Sequence, residues 1–154
     1  MTRVRAARAC EAEALSALCR RSKAHWGYDA AFLRMSEAAL TISRAMMENG
    51  DVLVAEDANG ALAGVASIAP LDTPGEFDLV HFFVEPASFG AGVGRMLFAA
   101  AAQLAKAKGA RCLMILSDPN AEAFYVRMGA VKTGDAPSDA IPGRLLPLLR
   151  YAIP

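Results

Sequence analysis

The residues whose spacing carries the most chemistry lie in mid-chain, in the run Val84-Glu85-Pro86-Ala87-Ser88-Phe89-Gly90-Ala91-Gly92-Val93-Gly94-Arg95. An apolar segment, Phe77–Val84, enters this run and an amphipathic one leaves it, so the glycines mark a strand turning into a helix. The start of a helix presents backbone N–H groups that have no partner within the helix, and glycine lets an anion approach them closely. The helix macrodipole adds roughly 0.3–1 kcal/mol per negative charge at an exposed end. A pyrophosphate is the natural guest of such a turn.

Two nucleotide-binding patterns fail on spacing. A P-loop needs Gly-Lys-Ser/Thr, and here Gly94 is followed by Arg95-Met96. A dinucleotide fingerprint needs G-x-G-x-x-G near the first strand and an acid about 20 residues on. The spacing here is G-x-G-x-G, and Gly109-Ala110-Arg111 stands where the acid belongs.

Around this turn the chain divides into short elements. Thr2–Ala6 reads as an opening strand, and Glu11–Arg21 as a helix with Ala14, Leu15, Leu18 and Cys19 on one face. Asp29 is placed to cap a second helix whose apolar face would hold Phe32, Leu33, Leu40, Met46 and Met47 before Asn49-Gly50 stops it. Val52–Glu56 and Ala61–Ile68 form a hairpin about Asn59-Gly60. Phe77–Val84 is apolar on both faces, as a covered central strand should be. Gly92–Lys108 is a long helix, Arg111–Leu116 a strand, and a further helix runs from Asp118 or Asn120 to Met128. Ala130–Gly134 and Leu145–Ile153 are the last strands, with Pro147 pushing part of the final one towards an edge or bulge. The order βααβββαβαββ predicts an α/β domain spanning residues 1–154 without a linker or internal repeat.

Composition bounds the function. The 154 residues are 55% hydrophobic and 21% charged, which suits a folded domain with its own core. Cys10, Cys19 and Cys112 are odd in number and form no C-x-x-C, so neither a disulfide framework nor a metal site is expected. No apolar run approaches the length of a membrane span, and the N-terminus lacks a signal-peptide core, so a soluble, cytoplasmic protein is expected. Sixteen bases balance 16 acids, which argues against a nucleic-acid binder that works by charge. The balance is uneven along the chain: residues 1–50 have eight bases and five acids (+3), residues 51–90 have seven acids and no base (−7), and residues 91–154 have eight bases and four acids (+4). The expectation drawn from this split is that the acidic segment faces a cation while the basic one faces an anion.

Val84-x-Pro86-x-x-Phe89-Gly90-x-Gly92-x-Gly94, leading into a long helix, resembles the acetyl-CoA-binding signature of the GCN5-related N-acetyltransferases. Downstream, Asp118-Pro119-Asn120-Ala121-Glu122-Ala123-Phe124-Tyr125-Val126-Arg127-Met128-Gly129-Ala130 resembles that family's second signature, N-x-x-A-x-x-F-Y-x-x-x-G-F. The resemblance covers about residues 1–135. It implies a single domain with a mixed central sheet of six to seven strands, a splayed central pair and about four flanking helices. It implies further that Phe83 and Val84 offer backbone groups to the pantetheine arm, as to an added strand. The Gly90–Arg95 amides would hold the pyrophosphate, and Asp118, Asn120 and Phe124 would border the cofactor groove. Tyr125 falls where the family keeps a phenol that protonates the departing sulfur; a group with a pKa near ~10 carries that proton at neutral pH. Two departures stand out: Phe89 where the family often has Gln or Arg, and Asp118 where it has Asn.

In such a reaction an amine attacks the thioester directly, and a base must take its proton. Asp78 and His81, on the strand before the glycines, are the two candidates. Three residues apart, they face opposite sides of a regular strand and share a side only if the strand is bulged. His25, Trp26 and Tyr28, between the first two helices, are expected on the acceptor side, where aromatic faces suit a cation. Pro137–Arg144, rich in turn formers, reads as an acceptor lid or a dimer contact. The function expected is acetyl transfer from acetyl-CoA, with no metal, to a primary amine of a small cationic acceptor in a ternary complex. The other readings are a non-catalytic acyl-CoA sensor of the same fold and a domain that forms a homodimer through its last strand. Neither nucleic acid nor membrane is an expected partner.

Overall fold

The computed structural model describes residues 1–154. β1 (Arg3–Ala6) is followed by three helices, α1 (Ala12–Ala24), α2 (Ala30–Leu40) and α3 (Arg44–Glu48). The chain continues through β2 (Val52–Glu56), β3 (Leu62–Pro70), β4 (Glu76–Val84), α4 (Val93–Ala107), β5 (Cys112–Leu116), α5 (Glu122–Arg127), β6 (Val131–Pro137) and β7 (Leu145–Ala152). All seven strands form one mixed sheet in the order β1-β2-β3-β4-β5-β7-β6. No helix is long and apolar enough to cross a membrane.

Local chemistry explains most element ends. The Asp29 carboxylate accepts from the Phe32 amide at 2.8 Å and starts α2, as its position in the sequence predicts. Asp57 Oδ1 accepts from the amides of Asn59 and Ala61, which fixes the β2–β3 turn. One expectation is corrected: the second helix does not run on to Met47. It stops at Leu40 because Ile42 is drawn into the core, where its amide donates to Ser16 Oγ at 2.9 Å. Ser43 then caps the separate single turn of α3.

Of the edge or bulge expected at Pro147, only the irregularity is found: the β6–β7 register breaks between Lys132 and Gly134, beside the Asp135–Pro147 pair. β7 lies between β5 and β6 rather than at an edge. Pro147 is tolerated there because its carbonyl accepts from the Ser117 amide, just past the end of β5. The N–H that proline lacks would point to that same side, where no strand carbonyl waits for it.

Apolar side chains pack on both faces of the sheet. On one, α4 buries Leu97, Phe98 and Ala101 against Phe77, Leu79 and Leu113. On the other, α1 buries Leu15, Leu18 and Cys19 with Leu40, Val54 and Val65. Each fully buried leucine contributes about 1.5–3 kcal/mol relative to exposure. These two cores clamp β4 from both sides and leave the geometry of its β5 side to the sheet itself.

Candidate active site

β4 pairs with β3 from Phe77 to Val84, but with its parallel neighbour β5 only at Glu76–Asp78 against Cys112–Met114. Beyond Asp78 the two strands part, and the backbone of β4 loses its partner on that side. The wedge that opens is a cleft of about 690 Å³. Its walls are Phe82, Phe83 and Val84 of β4, Leu116 of β5, and Phe124 and Tyr125 of α5.

The glycine run closes one end of this cleft. Gly92 caps α4 in the left-handed conformation, φ +82°, with no side chain bonded to the first amides of the helix. A Cβ built at Gly90 or Gly92 meets nothing within 4 Å, so both are glycine for backbone conformation and open access rather than for packing. Gly94 has a different reason: a Cβ there would lie 3.1 Å from the Phe124 ring, which packs directly on the first turn of α4. Phe89, Gly90, Gly92, Val93, Gly94 and Arg95 line the cleft, and Ala91 lies between two of them. Phe89 stands half exposed, with its ring against His25 at 4.8 Å and near Trp26 at 6.1 Å.

Tyr125 is buried among Phe82, Phe98 and Phe124, with ring centroids 5.4–6.2 Å away, and it lines the cleft. Burial, then the charge of Asp118, pushes its phenol well above the usual range and keeps it protonated.

A second, smaller cavity of about 250 Å³ opens beside the first. Lys23, Leu79, Val80, Phe83, Leu116 and Leu146 line both, so the two spaces meet at the point where β4 and β5 diverge. Asp78 lines the smaller cavity, with Ser36 and Leu40 of α2 and Asp139 of the 137–144 loop. Burial and then the negative charge of Asp139 raise the Asp78 carboxyl to about 6.

The strand is bulged, so Asp78 and His81 share a face. The structure nevertheless gives them different surroundings. His81 is buried, lines neither cavity, and has Nδ1 within 2.7 Å of Ser67 Oγ. Desolvation holds its pKa below the ordinary value, opposed by the nearby carbonyls of Ala39 and Thr41.

The aromatic segment after α1 is divided in space. Trp26 lines the larger cleft near Phe89, while His25 and Tyr28 line neither cavity. Tyr28 instead joins a polar network unforeseen in the sequence. Its hydroxyl donates to Asp118 Oδ2 at 2.8 Å, and Lys23 Nζ donates to the same oxygen at 2.6 Å. Asn120 bonds Asp118 Oδ1 through both its backbone and its side chain. Burial opposes ionisation of Asp118, but Lys23 and these bonds outweigh it and hold the carboxyl below the usual range.

Three of the seven acids of the middle segment are paired in space. Asp51 pairs with Lys108, Glu85 with Arg21, and Glu56 with both Arg3 and Arg5. Asp57, Asp72, Glu76 and Asp78 form no ion pair, so the charge split is offset only in part. Of the seven acids between residues 51 and 90, Asp78 is the one that lines either of these two cavities. Lys23 and Asp139 are the site residues that sequence reasoning missed. The unexplained run of turn formers at 137–144 was the signal for Asp139. Lys23 had none, since its partner is 95 residues away.

A parallel strand pair opened into a wedge, a helix start aimed into it and a buried phenol along one wall define a group-transfer domain for an extended donor with an anionic end. The chain belongs to the acetyltransferase (GNAT) domain family, which it matches over residues 11–140. Its fold is similar to that of a GCN5-related N-acetyltransferase from Rhodopseudomonas palustris, at 23% identity over 99% of this chain and 96% of that one, with a TM-score of 0.76. The PaiA N-acetyltransferase of Thermoplasma acidophilum, solved with coenzyme A, is similar at 15% identity and TM-score 0.75 over 99% of each chain. YncA of Salmonella typhimurium, solved with acetyl-CoA, is similar at 20% identity and TM-score 0.72 over 100% of this chain and 95% of that one. These identities establish a likeness of fold. No curated protein matches the sequence. No group of three or more His, Cys, Asp or Glu side chains is placed to hold a metal ion.

Proposed function

We propose that the protein transfers the acetyl group of acetyl-CoA to a primary amine of a small cationic acceptor, by direct attack within a ternary complex. The observation that carries this reading is the meeting of the two cavities at Leu79, Val80 and Phe83, with Tyr125 on one side and Asp78 on the other. The similar structures solved with coenzyme A and acetyl-CoA support the choice of donor.

The residues present suit that donor. The uncapped amides at the start of α4 and the open space at Gly90 and Gly92 fit a pyrophosphate. The unpaired side of β4 at Phe83 and Val84 fits an extended amide-bearing arm. Asp118, Asn120 and Phe124 border the same cleft. Acetyl-CoA supplies an acetyl group activated as a thioester.

The chain's own groups then have separate tasks. Tyr125 holds a proton that it can give to the sulfur as the C–S bond breaks. Asp78, with a pKa near neutrality, takes a proton from the acceptor's ammonium so that the free amine can attack. Asp139 and Asp78 form no ion pair with a protein cation, and their charges make the small cavity favourable to a cation. Its volume of about 250 Å³ limits the part of an acceptor that it can enclose.

Titration calorimetry with acetyl-CoA, followed by initial-rate kinetics against a panel of amines, tests the reading. Binding with intersecting double-reciprocal lines is expected. Parallel lines would overturn the ternary complex, and binding without turnover on any amine would favour the sensor.

A further inference from the structure

Lys23, Leu79, Val80, Phe83, Leu116 and Leu146 line both cavities and so surround the point where they meet. All but Lys23 have apolar side chains. At the junction, Lys23 is therefore the one residue of this set whose side chain can donate a hydrogen bond.

The fold brings Lys23 there and holds it. It follows Cys19, on the buried face of α1, by four positions, so it leaves the last turn of the helix on that same face. Nζ donates to Asp118 Oδ2 at 2.6 Å and lies 5.2 Å from the Tyr28 ring centroid and 5.8 Å from that of Phe32. Those rings stack on each other with centroids 4.0 Å apart, and only 14% of the Lys23 side chain is exposed. The charge of Asp118 is felt by the Tyr125 phenol, so the ammonium bonded to Asp118 lies within electrostatic reach of the proposed acid.

An ammonium carries three N–H groups. Asp118 accepts from Nζ and no other group does, so donors remain free for a ligand at the junction. Asp118 also offsets the charge that Lys23 would otherwise present to a cationic acceptor. This gives a reason for its place where the resemblance has Asn, since an amide would leave the ammonium uncompensated.

We propose that Lys23 is a catalytic residue: its ammonium donates to the acetyl carbonyl oxygen of acetyl-CoA and stabilises the negative charge that gathers there during attack. The inference rests on acetyl-CoA as the donor and on reaction at the junction, as proposed above. When the amine nitrogen bonds the carbonyl carbon, the π pair of the C=O bond moves onto oxygen, beside Lys23. That pair returns as the C–S bond breaks, and the sulfur takes the Tyr125 proton. Asp78 holds one proton of the acceptor's ammonium, and a second, lost from the new amide nitrogen, restores Tyr125. Lys23 keeps its own protons throughout.

Infrared difference spectroscopy of bound acetyl-CoA with an isotope-labelled acetyl carbonyl tests this, beside initial-rate kinetics. In the wild type the carbonyl band should lie at lower frequency than in free acetyl-CoA. In Lys23→Met it should move back towards the free value, and kcat should fall about 10²-fold while the Kd for acetyl-CoA changes by less than about threefold. Lys23→Met also strands the Asp118 carboxylate and should lower the Tm. Lys23→Met/Asp118→Asn removes that penalty, and should regain Tm but neither the band shift nor kcat. A merely structural ion pair would let kcat recover with Tm, and that result overturns the inference. So does a Lys23→Met protein that keeps the shifted band or the wild-type kcat, which would make the unpaired β4 backbone the donor. If Lys23→Met does not fold, the double variant replaces it in each comparison. A wild-type protein that binds no acetyl-CoA in calorimetry defeats the functional reading, whereas one that binds it with an unshifted band overturns the role of Lys23 alone.

Discussion

Arg144 donates a 2.8 Å hydrogen bond to the hydroxyl of Tyr28, a residue 116 positions earlier in the chain. The same hydroxyl donates to Asp118, so one phenol ties the 137–144 loop to the end of β5. The Arg144 guanidinium also lies 5.1 Å from the Tyr28 ring centroid and 4.9 Å from that of Phe32. The loop carrying Asp139 is therefore held over the smaller cavity by a side-chain latch in addition to the β6–β7 pairing that closes it at Pro137 and Leu145. Tyr28→Phe keeps the rings and removes the hydroxyl. It should raise the KM for the acceptor about tenfold, equivalent to about 1.4 kcal/mol, with a smaller effect on kcat. Hydrogen exchange should quicken at residues 138–144, and initial-rate kinetics should show the split.

Asp78 links activity and stability with opposite signs. Its folded pKa, about 6, lies above the ordinary carboxylate value, so between about pH 4 and 6 the folded chain binds more protons than the unfolded one. Stability from this group is present below that window and falls as pH rises through it. Asp78→Asn should therefore raise the Tm at pH 8, by an amount equivalent to about 1–3 kcal/mol. The same change should lower kcat about 10²-fold or more, and in the unchanged protein activity should rise through pH 6.

Tyr125→Phe removes a proton that the site holds firmly and leaves the aromatic cluster intact. Turnover should fall about 10²-fold while acetyl-CoA affinity changes by less than about threefold. Calorimetry beside steady-state rates separates the two quantities. Equal turnover in the two proteins would remove Tyr125 as the acid.

Gly92→Ala forces a left-handed backbone onto a residue with a Cβ, at a cost of about 1–2 kcal/mol. No neighbour is struck by the new methyl, so the loss of stability should come from backbone strain alone. Weaker acetyl-CoA binding should accompany a Tm lower by several degrees, measured by calorimetry and thermal melts.

Much of the fold was legible because its signals are local. The glycine turn, the Asn59-Gly60 hairpin and the Asp29 cap each depend on residues within a few positions of one another. The bulge at Val80 was hidden because Phe77–Val84 is apolar on both faces, so a change of side leaves no trace in the hydropathy pattern. Helix propensity carried the second helix past Leu40, and the burial of Ile42 with its long-range bond to Ser16 is what breaks it. The interior place of β7 depends on strand order, which no local signal encodes. At the site, the glycine run and Tyr125 could be picked out by motif, whereas Lys23, Asp118 and Tyr28 meet only through folding.

Every unpaired strand edge invites another strand to add to it, and this protein has such an edge in its interior, along β4 beyond Asp78. Its two outer edges are protected in ordinary ways. β1 is four residues long and carries Arg3 and Arg5, while β6 has a register break and bears Lys132, Asp135 and Pro137. β4 has no such guard residues between Leu79 and Val84. What lies beside it is α5, whose Phe124 and Tyr125 line the same cleft as Phe82, Phe83 and Val84. An unpaired edge inside the sheet is thus flanked by the chain's own β5 and α5, whereas the two outer edges face solvent.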